Sequence, residues 1–396
     1  MKICMLLQSD FPPDVRLSKE ASVLLKQGNE IHLLCNNRKN YPQEEILESI
    51  FVHRIKNING IESKIHRIIN APLFFNPIWF VVLVKLVRMY RFDVLHVVNL
   101  PLALLAIIVG KLFQIPVIYD MYENYPEAIR SWKLKGMRAL VRSPRLAATL
   151  DKICMNRADF LIVVIDEAKE RLLKLGVNAS KMFILNNTVD LEAFNSFGIV
   201  QEIVEKYSKN FTIIYTGQFS AERGIETAIF AMPRILKEIL NAKLVLVGTG
   251  PGIEELKMIA QTNNLQDLVE FVGWVDYRLF PSYIQASDVC IIPHPSNPFI
   301  DTTIPNKLFE YMALGKPVLV SDAKPLVRIV SECQCGEIFK SNSPTDFADA
   351  VLRINRSQVD YGNNGRSAVE RKHNWDFSSR ELIKLYNEIK LNKEQL

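Results

Sequence analysis

Residues 303–321 read TIPNKLFEYMALGKPVLVS, in the order loop, helix, turn, strand. Pro305 presets a backbone angle suited to a loop or a first helical turn. From Lys307 to Leu314 the spacing is helical, with Leu308, Tyr311 and Met312 on one face. Gly315 is placed to cap that helix, and Pro317 stops it from continuing. Residues 317–320 then form a short apolar strand of the kind buried in a parallel sheet. The chemistry sits where loop meets helix. Lys307 beside a helix N-terminus suits an anion such as a diphosphate. Glu310, one turn on, can accept hydrogen bonds from a ribose diol. The same two residues also read as solvated charges on an amphipathic helix.

Outward from this stretch, strand and helix alternate in both directions. In the second half, strands are predicted at 211–215, 243–247, 269–272, 289–292 and 336–339. Helices are predicted from about 225 to 240, from 253, at 344–354 and at 375–390. The first half has strands at 2–7, 30–35, 94–98, 116–119, 158–165 and 182–186. Its helices fall at 15–27, 72–92, 102–113, 150–157 and 168–175. This alternation marks parallel sheets with crossover helices. Two halves of comparable length, joined through 191–208, imply an α/β protein of two doubly wound domains facing each other across a cleft.

Open α/β sheets bind ligands beyond the carboxyl ends of their strands. Several polar groups fall there. Gly217 and Gln218 exit the 211–215 strand, where a glycine lets backbone approach a ligand, and Arg223 offers a planar cation for phosphate. Gly248 and Gly250 follow the 243–247 strand and fit a close turn beneath a nucleotide, although Gly252 is misplaced for the dinucleotide fingerprint. His294 follows the 289–292 strand. Asn99 and Pro101 follow 94–98, and Asp120, Tyr122 and Glu123 follow 116–119. Asp120 also reads as a cap for the next helix. Arg16 and Glu20, four apart on a helix, read as an ion pair or as a substrate contact.

Composition describes an ordinary globular chain, 48% hydrophobic and 23% charged, long enough for two full cores. A formal charge of +5 is too mild to argue for nucleic acid. The scattered cysteines suggest buried thiols and a reducing compartment. Cys333-Gln334-Cys335 lacks a second pair for zinc. Residues 1–8 read as a first strand rather than an export signal. The apolar run 78–84 is broken by Lys85 and Arg88, and 100–109 ends at Gly110 and Lys111, so neither spans a membrane. Residues 130–146, RSWKLKGMRALVRSPRL, interleave Arg130, Lys133, Lys135, Arg138, Arg142 and Arg145 with apolar side chains and carry no acid. That pattern suits an anionic membrane surface, or a solvated basic face over a core helix.

The segment IPNKLFEYMALGKPV resembles the donor-sugar motif of GT4, the large retaining family of GT-B glycosyltransferases. DFPPDVRLSKEASVLLKQGNEIHLL resembles the N-terminus of the same family, with Asp14 and Arg16 as its Asp-x-Arg pair. Five positions depart from the pattern. Thr302 stands where a second glutamate is usual, Tyr122 replaces a histidine, Pro12-Pro13 replaces Gly-Gly, and Gln218 replaces one of two basic residues.

The resemblance implies a GT-B fold of two Rossmann-like domains. Residues 1–195 hold the acceptor, 205–375 the nucleotide sugar, and the helix 376–396 crosses back to the N-terminal domain. It implies transfer of a hexosyl or N-acetylhexosaminyl group, with retention, from a UDP- or GDP-linked donor. The acceptor is a lipid-linked or other glycan in cell-surface polysaccharide synthesis, at the inner face of the cell membrane. No metal or other cofactor is expected. Arg223 and Lys307 would neutralise the departing diphosphate, with Glu123 and Asp120 handling the acceptor. The donor contacts would be Gly217, Gln218, Gly248, Gly250, Trp274, Val275, Asp301, Thr302, Thr303, Asn306, Leu308 and Glu310. Arg16, Asn99 and Tyr122 would meet the acceptor. Two other readings are a nucleotide-sugar 2-epimerase and a non-catalytic sugar-nucleotide-binding partner in a glycan assembly complex.

Overall fold

The structure is a computed structural model that describes residues 1–56, 75–131 and 143–394. Most of the basic segment 130–146, and the start of the helix expected at 72, lie outside the described residues. The chain divides into two compact units, Met1–Asn186 with Ser379–Leu396, and Asn187–Ser378.

In the first unit the strands are β1 (Lys2–Asp10), β2 (Glu30–Asn36), β3 (Glu44–Leu47), β4 (Ile50–Arg54), β5 (Val94–Val98), β6 (Val117–Met121), β7 (Phe160–Val163) and β8 (Met182–Ile184). Among the described residues they form one sheet in the order β3-β4-β2-β1-β5-β6-β7-β8. The pairings are parallel except for the antiparallel edge hairpin of β3 and β4. β5 and β6 are buried at every residue, as expected of strands covered on both faces. The first helix, Val15–Lys26, starts where the Asp14 carboxylate accepts a 3.0 Å hydrogen bond from Leu17 N, and it stops before Gly28 at φ 76°.

The second unit holds β9 (Phe211–Thr216), β10 (Ala242–Val247), β11 (Val269–Gly273), β12 (Val289–Ile292), β13 (Val318–Ser321) and β14 (Gly336–Phe339), all parallel, in the order β11-β10-β9-β12-β13-β14. Helices Ile225–Ile235 and Pro344–Arg356 cover one face, burying Ile229, Met232, Phe347 and Val351 against Ile213, Leu244 and Leu246. Each such side chain contributes about 1.5–3 kcal/mol relative to exposure. The stretch 303–321 folds as its residues predict. Helix Lys307–Ala313 ends at Gly315, φ 65°, with Gly315 N bonded to Met312 O (2.9 Å) and Lys316 N to Tyr311 O (3.1 Å), and β13 follows.

Two local readings change. β6 runs on through Asp120 and Met121, so Asp120 lies in a strand and does not cap the following helix. The apolar pull of the strand core carries pairing one turn of the pleat beyond Tyr119, with Asp120 opposite Ile162 of β7. The β3–β4 hairpin was not expected. Its two turn residues, Glu48 and Ser49, both have φ near +50 to +70° (48° and 67°), a turn that normally advertises itself through Asn-Gly.

In each sheet the strand order reverses beside a central strand, β1 in the first and β9 in the second. That reversal opens a crevice at the carboxyl ends of the strands.

Candidate functional site

The crevice of the second unit lies between the exits of β9 and β12. β9 ends at Thr216, whose N–H donates to the Tyr311 hydroxyl at 3.0 Å. Lys307 reaches back from the first position of its helix and donates to Thr216 O. Its ammonium lies 3.7 Å from the centre of the Tyr215 ring, a cation–π contact. Gly217, at φ 117°, makes room: a Cβ there would sit 2.9 Å from Lys307 Nζ.

The two glycines after β10 serve the same loop. A Cβ on Gly248 would lie 1.9 Å from Gly217 O, and one on Gly250 would lie 2.2 Å from Phe219 O. The exit loops of β9 and β10 are laced through Gly217 N to Val247 O (2.8 Å) and Phe219 N to Thr249 O (3.0 Å). The glycine turn therefore exists for loop-to-loop approach.

Arg223 ends a short 3-10 turn, Ala221–Arg223. Gly224 follows at φ 62°, where a Cβ would meet Pro293 O at 2.3 Å. This close approach sets the half-buried Arg223 against the loop after β12, with Nη1 3.5 Å from His294 Nδ1. His294 is buried, and its backbone carbonyl accepts from Ser321 Oγ. Burial, then Arg223, then Lys307 push its pKa well below the ordinary value, so the ring is neutral. With Nδ1 facing a guanidinium, the proton belongs on Nε2, and Nε2 is buried with no hydrogen-bond partner among the described residues. Burial and Arg223 likewise push Lys307 well below its ordinary value, with Glu310 opposing them. Two side-chain cations and one neutral N–H donor thus share a corner that an anion would relax.

Glu310 is 4% exposed, and its Oε1 accepts from Tyr277 Oη and Asn306 Nδ2, both at 2.6 Å. Asn306 Oδ1 is buried with no hydrogen-bond partner among the described residues. Asp301 accepts from Ser296 Oγ (3.0 Å) and Lys324 N (3.2 Å), tying its loop to the start of the helix Lys324–Cys333, and Thr302 Oγ1 donates to Pro298 O (3.1 Å) within its own loop. Thr303 is half-buried, with its N–H bonded to Ile300 O at 3.2 Å. Leu308 is fully buried in the core, and its N–H is bonded to Pro305 O. Gln218 has an exposed side chain, while its carbonyl accepts from Tyr215 Oη at 2.9 Å. Trp274 is 75% exposed and Val275 is half-buried. Sequence reasoning did not single out Tyr215, Tyr277 or Tyr311, because each acts through a partner remote in the chain.

In the first unit, Arg16 and Asp120 sit inside a closed network. Arg16 pairs with Glu20 (2.8 Å) and Asp120 (3.2 Å), donates to Leu185 O (3.1 Å) and lies 4.5 Å over the Tyr122 ring. His96 Nε2 meets Asp120 Oδ2 at 3.2 Å, and its Nδ1 meets Tyr386 Oη at 2.8 Å. The ion-pair reading of Arg16 and Glu20 is the one the geometry supports. Burial, then the neighbouring Asp120, raise the Glu20 pKa well above its usual range, with Arg16 opposing them. Glu20, His96 and Asp120 present three possible metal-ligand atoms within 4.8 Å of one another. The cation already in their midst is the Arg16 guanidinium. Asn99, at φ 60°, accepts from Tyr122 N at 3.1 Å, and Glu123 is half-buried at the same end of the sheet.

Comparison with known proteins follows the two halves. The pattern described as Glycosyltransferase Family 4 matches residues 17–193, and that described as Glycosyl transferases group 1 matches residues 198–370. An uncharacterized glycosyltransferase of Methanocaldococcus jannaschii is 26% identical over 247 residues, 61% of this chain; the chain spans 61% of that relative's length, less than two thirds. The alpha-monoglucosyldiacylglycerol synthase of Streptococcus pneumoniae is 26% identical over 318 residues, 76% of this chain and 69% of the relative. Among solved structures, sucrose-phosphate synthase from Thermosynechococcus elongatus matches with a TM-score of 0.79 at 19% identity, over 99% of both chains. Anabaena HepE in complex with UDP matches with a TM-score of 0.70 at 15% identity, over 98% of this chain and 100% of that one.

Proposed function

The chain belongs to the GT4-type glycosyltransferases of GT-B fold, and from that premise we propose that it transfers a sugar from a nucleoside diphosphate to a glycan acceptor with retention of anomeric configuration. The observation that carries this reading is the meeting of Arg223, His294 and Lys307 at the crevice beside β9. A departing diphosphate gains negative charge as the anomeric bond breaks, and preorganised cations and N–H donors stabilise that charge. The two side-chain cations supply what a divalent ion would otherwise supply, so the proposed transfer is metal-independent. Glu310, oriented by Tyr277 and Asn306, is assigned to the ribose. The UDP bound by HepE supports a nucleotide donor, with UDP or GDP as the carrier.

On the first unit, Asn99, Tyr122 and Glu123 are assigned to the acceptor. Arg16 and Asp120 act as positioning residues, since their charged groups are enclosed. A lipid-linked acceptor at an anionic membrane face is supported by two helices, Pro77–Tyr90 and Leu100–Phe113, that pack together and carry no acid. They expose Val81, Met89, Ile108 and Leu112 beside Lys85, Arg88 and Lys111. Among the described residues, no helix is long and apolar enough to cross a membrane.

The test is incubation of the purified chain with labelled UDP- and GDP-sugars, with and without membrane lipids. Labelled glycolipid with the donor's anomeric configuration supports the proposal. Isomerised donor would make the chain an epimerase, and binding without turnover a non-catalytic partner. Co-sedimentation with anionic but not zwitterionic vesicles at low salt checks the membrane part separately.

A further inference from the structure

Of the six free cysteines, Cys333 is half-exposed and the other five are buried. It ends the helix Lys324–Cys333. Gln334 then turns through φ 48°, and Cys335 leads into β14. This one-residue reversal sets the two thiols and the His373 ring near enough to interact electrostatically. His373 is itself held by stacking on Phe309, at 5.6 Å between ring centres and 21° between planes. Cys333 and His373 line one cavity of about 630 Å³, shared with Asn364, Ser367, Arg371 and Lys372. Small reagents therefore have a route to one sulfur, while the other stays enclosed beneath Gly365, whose added Cβ would lie 3.2 Å from Cys335 Cβ.

The two thiols are unlike. The neighbouring Cys335 thiol, helped by His373 against the opposing effect of burial, pushes Cys333 down to about 5. The same contact and burial push Cys335 up. A thiolate is the attacking form, and a neighbouring protonated thiol can resolve the product. None of these groups takes part in the proposed sugar transfer.

We propose that Cys333 and Cys335 form a reversible oxidation site for hydroperoxides. The Cys333 sulfur attacks the terminal oxygen of ROOH; an S–O bond forms, the O–O bond breaks, and ROH leaves with one proton from solvent. Cys335 then attacks the resulting Cys333 sulfenic acid. The S–S bond forms, the S–O bond breaks, and the hydroxyl leaves as water with the Cys335 proton. In sum, two thiols and one hydroperoxide give a disulfide, an alcohol and water. The hydroperoxide accepts the two electrons.

The experiment treats the purified full-length chain with equimolar hydrogen peroxide, blocks residual thiols, and maps peptides by mass. The expected result is one disulfide joining Cys333 to Cys335, with the loss of two hydrogens, reversed by dithiothreitol. Cys335→Ser should instead stop at a sulfenic acid on Cys333 that dimedone captures. Because this substitution could disturb folding, the unmodified chain supplies a second reading. Alkylation at about pH 6 should label Cys333 at least tenfold faster than a free cysteine thiol. An unchanged peroxide-treated mass, a disulfide elsewhere, or Cys333 alkylated no faster than free cysteine would each overturn the assignment. None of these readings depends on the nucleotide site.

Discussion

The ammonium of Lys307 lies 3.7 Å over the ring of Tyr215, held by the carbonyl that follows it at Thr216. That position exists because residue 217 has no side chain. Gly217→Ala should therefore push the ammonium aside, and at φ 117° it should also strain the backbone by about 1–2 kcal/mol. The expected result is nucleoside-diphosphate affinity lowered about tenfold, with a smaller drop in Tm, read by calorimetry and thermal melting. Unchanged affinity would separate the Lys307 position from ligand binding.

His294 gives a pH signature. Its folded pKa lies well below the ordinary 6.5, so below that pH the unfolded chain takes up a proton that the native ring refuses. Stability conferred by the neutral ring is complete above 6.5 and is lost as pH falls from 6.5 toward the folded value. His294→Gln should flatten the acid limb of unfolding free energy between about pH 6.5 and 5. An acid limb unchanged by the substitution would refute the neutral-histidine reading.

Glu20 behaves in the opposite sense. Its folded pKa is raised above 4.5, so its contribution is complete below 4.5 and declines as pH climbs toward the folded value. Gln keeps the acceptor for Arg16 and cannot ionise. Glu20→Gln should be at least as stable as the native chain near pH 8 and should show a flatter pH slope. Glu20→Ala should cost about 2 kcal/mol or more through the cavity and the unpaired Arg16. A large loss in Glu20→Gln would mean that the native carboxyl is ionised.

Tyr277 tests the ribose assignment. Its hydroxyl fixes the Glu310 carboxylate at 2.6 Å, and its removal leaves a buried acceptor short of one donor. Tyr277→Phe should weaken UDP or GDP binding several-fold while leaving inorganic pyrophosphate binding unchanged. Equal weakening of both would place Glu310 at the phosphates instead.

Much of the fold was legible because strands covered on both faces read as near-continuous apolar runs; Val94–Val98 and Val289–Ile292 begin and end where their residues indicate. Gly315 and Pro317 marked the end of the Lys307 helix for reasons of backbone geometry alone. Arg223, after a strand exit, and Lys307, at a helix N-terminus, stood out as candidate phosphate ligands by residue type and position together with the resemblance to GT4; position alone left both readable as surface charges. Contacts made across long sequence separations were not legible. Tyr277 reaches Glu310 from a 3-10 turn, and Tyr386 reaches His96 from the terminal helix. The enclosure of Asp120 depends on where β6 ends, which differs by two residues from the sequence reading and moves the carboxylate from a loop into the sheet. The hairpin turn at Glu48-Ser49 carries no glycine or asparagine to announce it.

The central claim is that Arg223 and Lys307 together hold a nucleotide diphosphate, and calorimetric titration with UDP and GDP tests it directly. A charge-assisted hydrogen bond is worth about 1.5–3 kcal/mol, so Arg223→Ala and Lys307→Met should each weaken binding roughly tenfold to a hundredfold. Binding to the unaltered chain just below the ordinary lysine value of 10.5 should also take up protons, since an anion raises the depressed Lys307 pKa, and Lys307→Met should abolish that uptake. Nucleotide binding of undiminished strength in Arg223→Ala and in Lys307→Met, with the proton balance of the unaltered chain, would contradict the account.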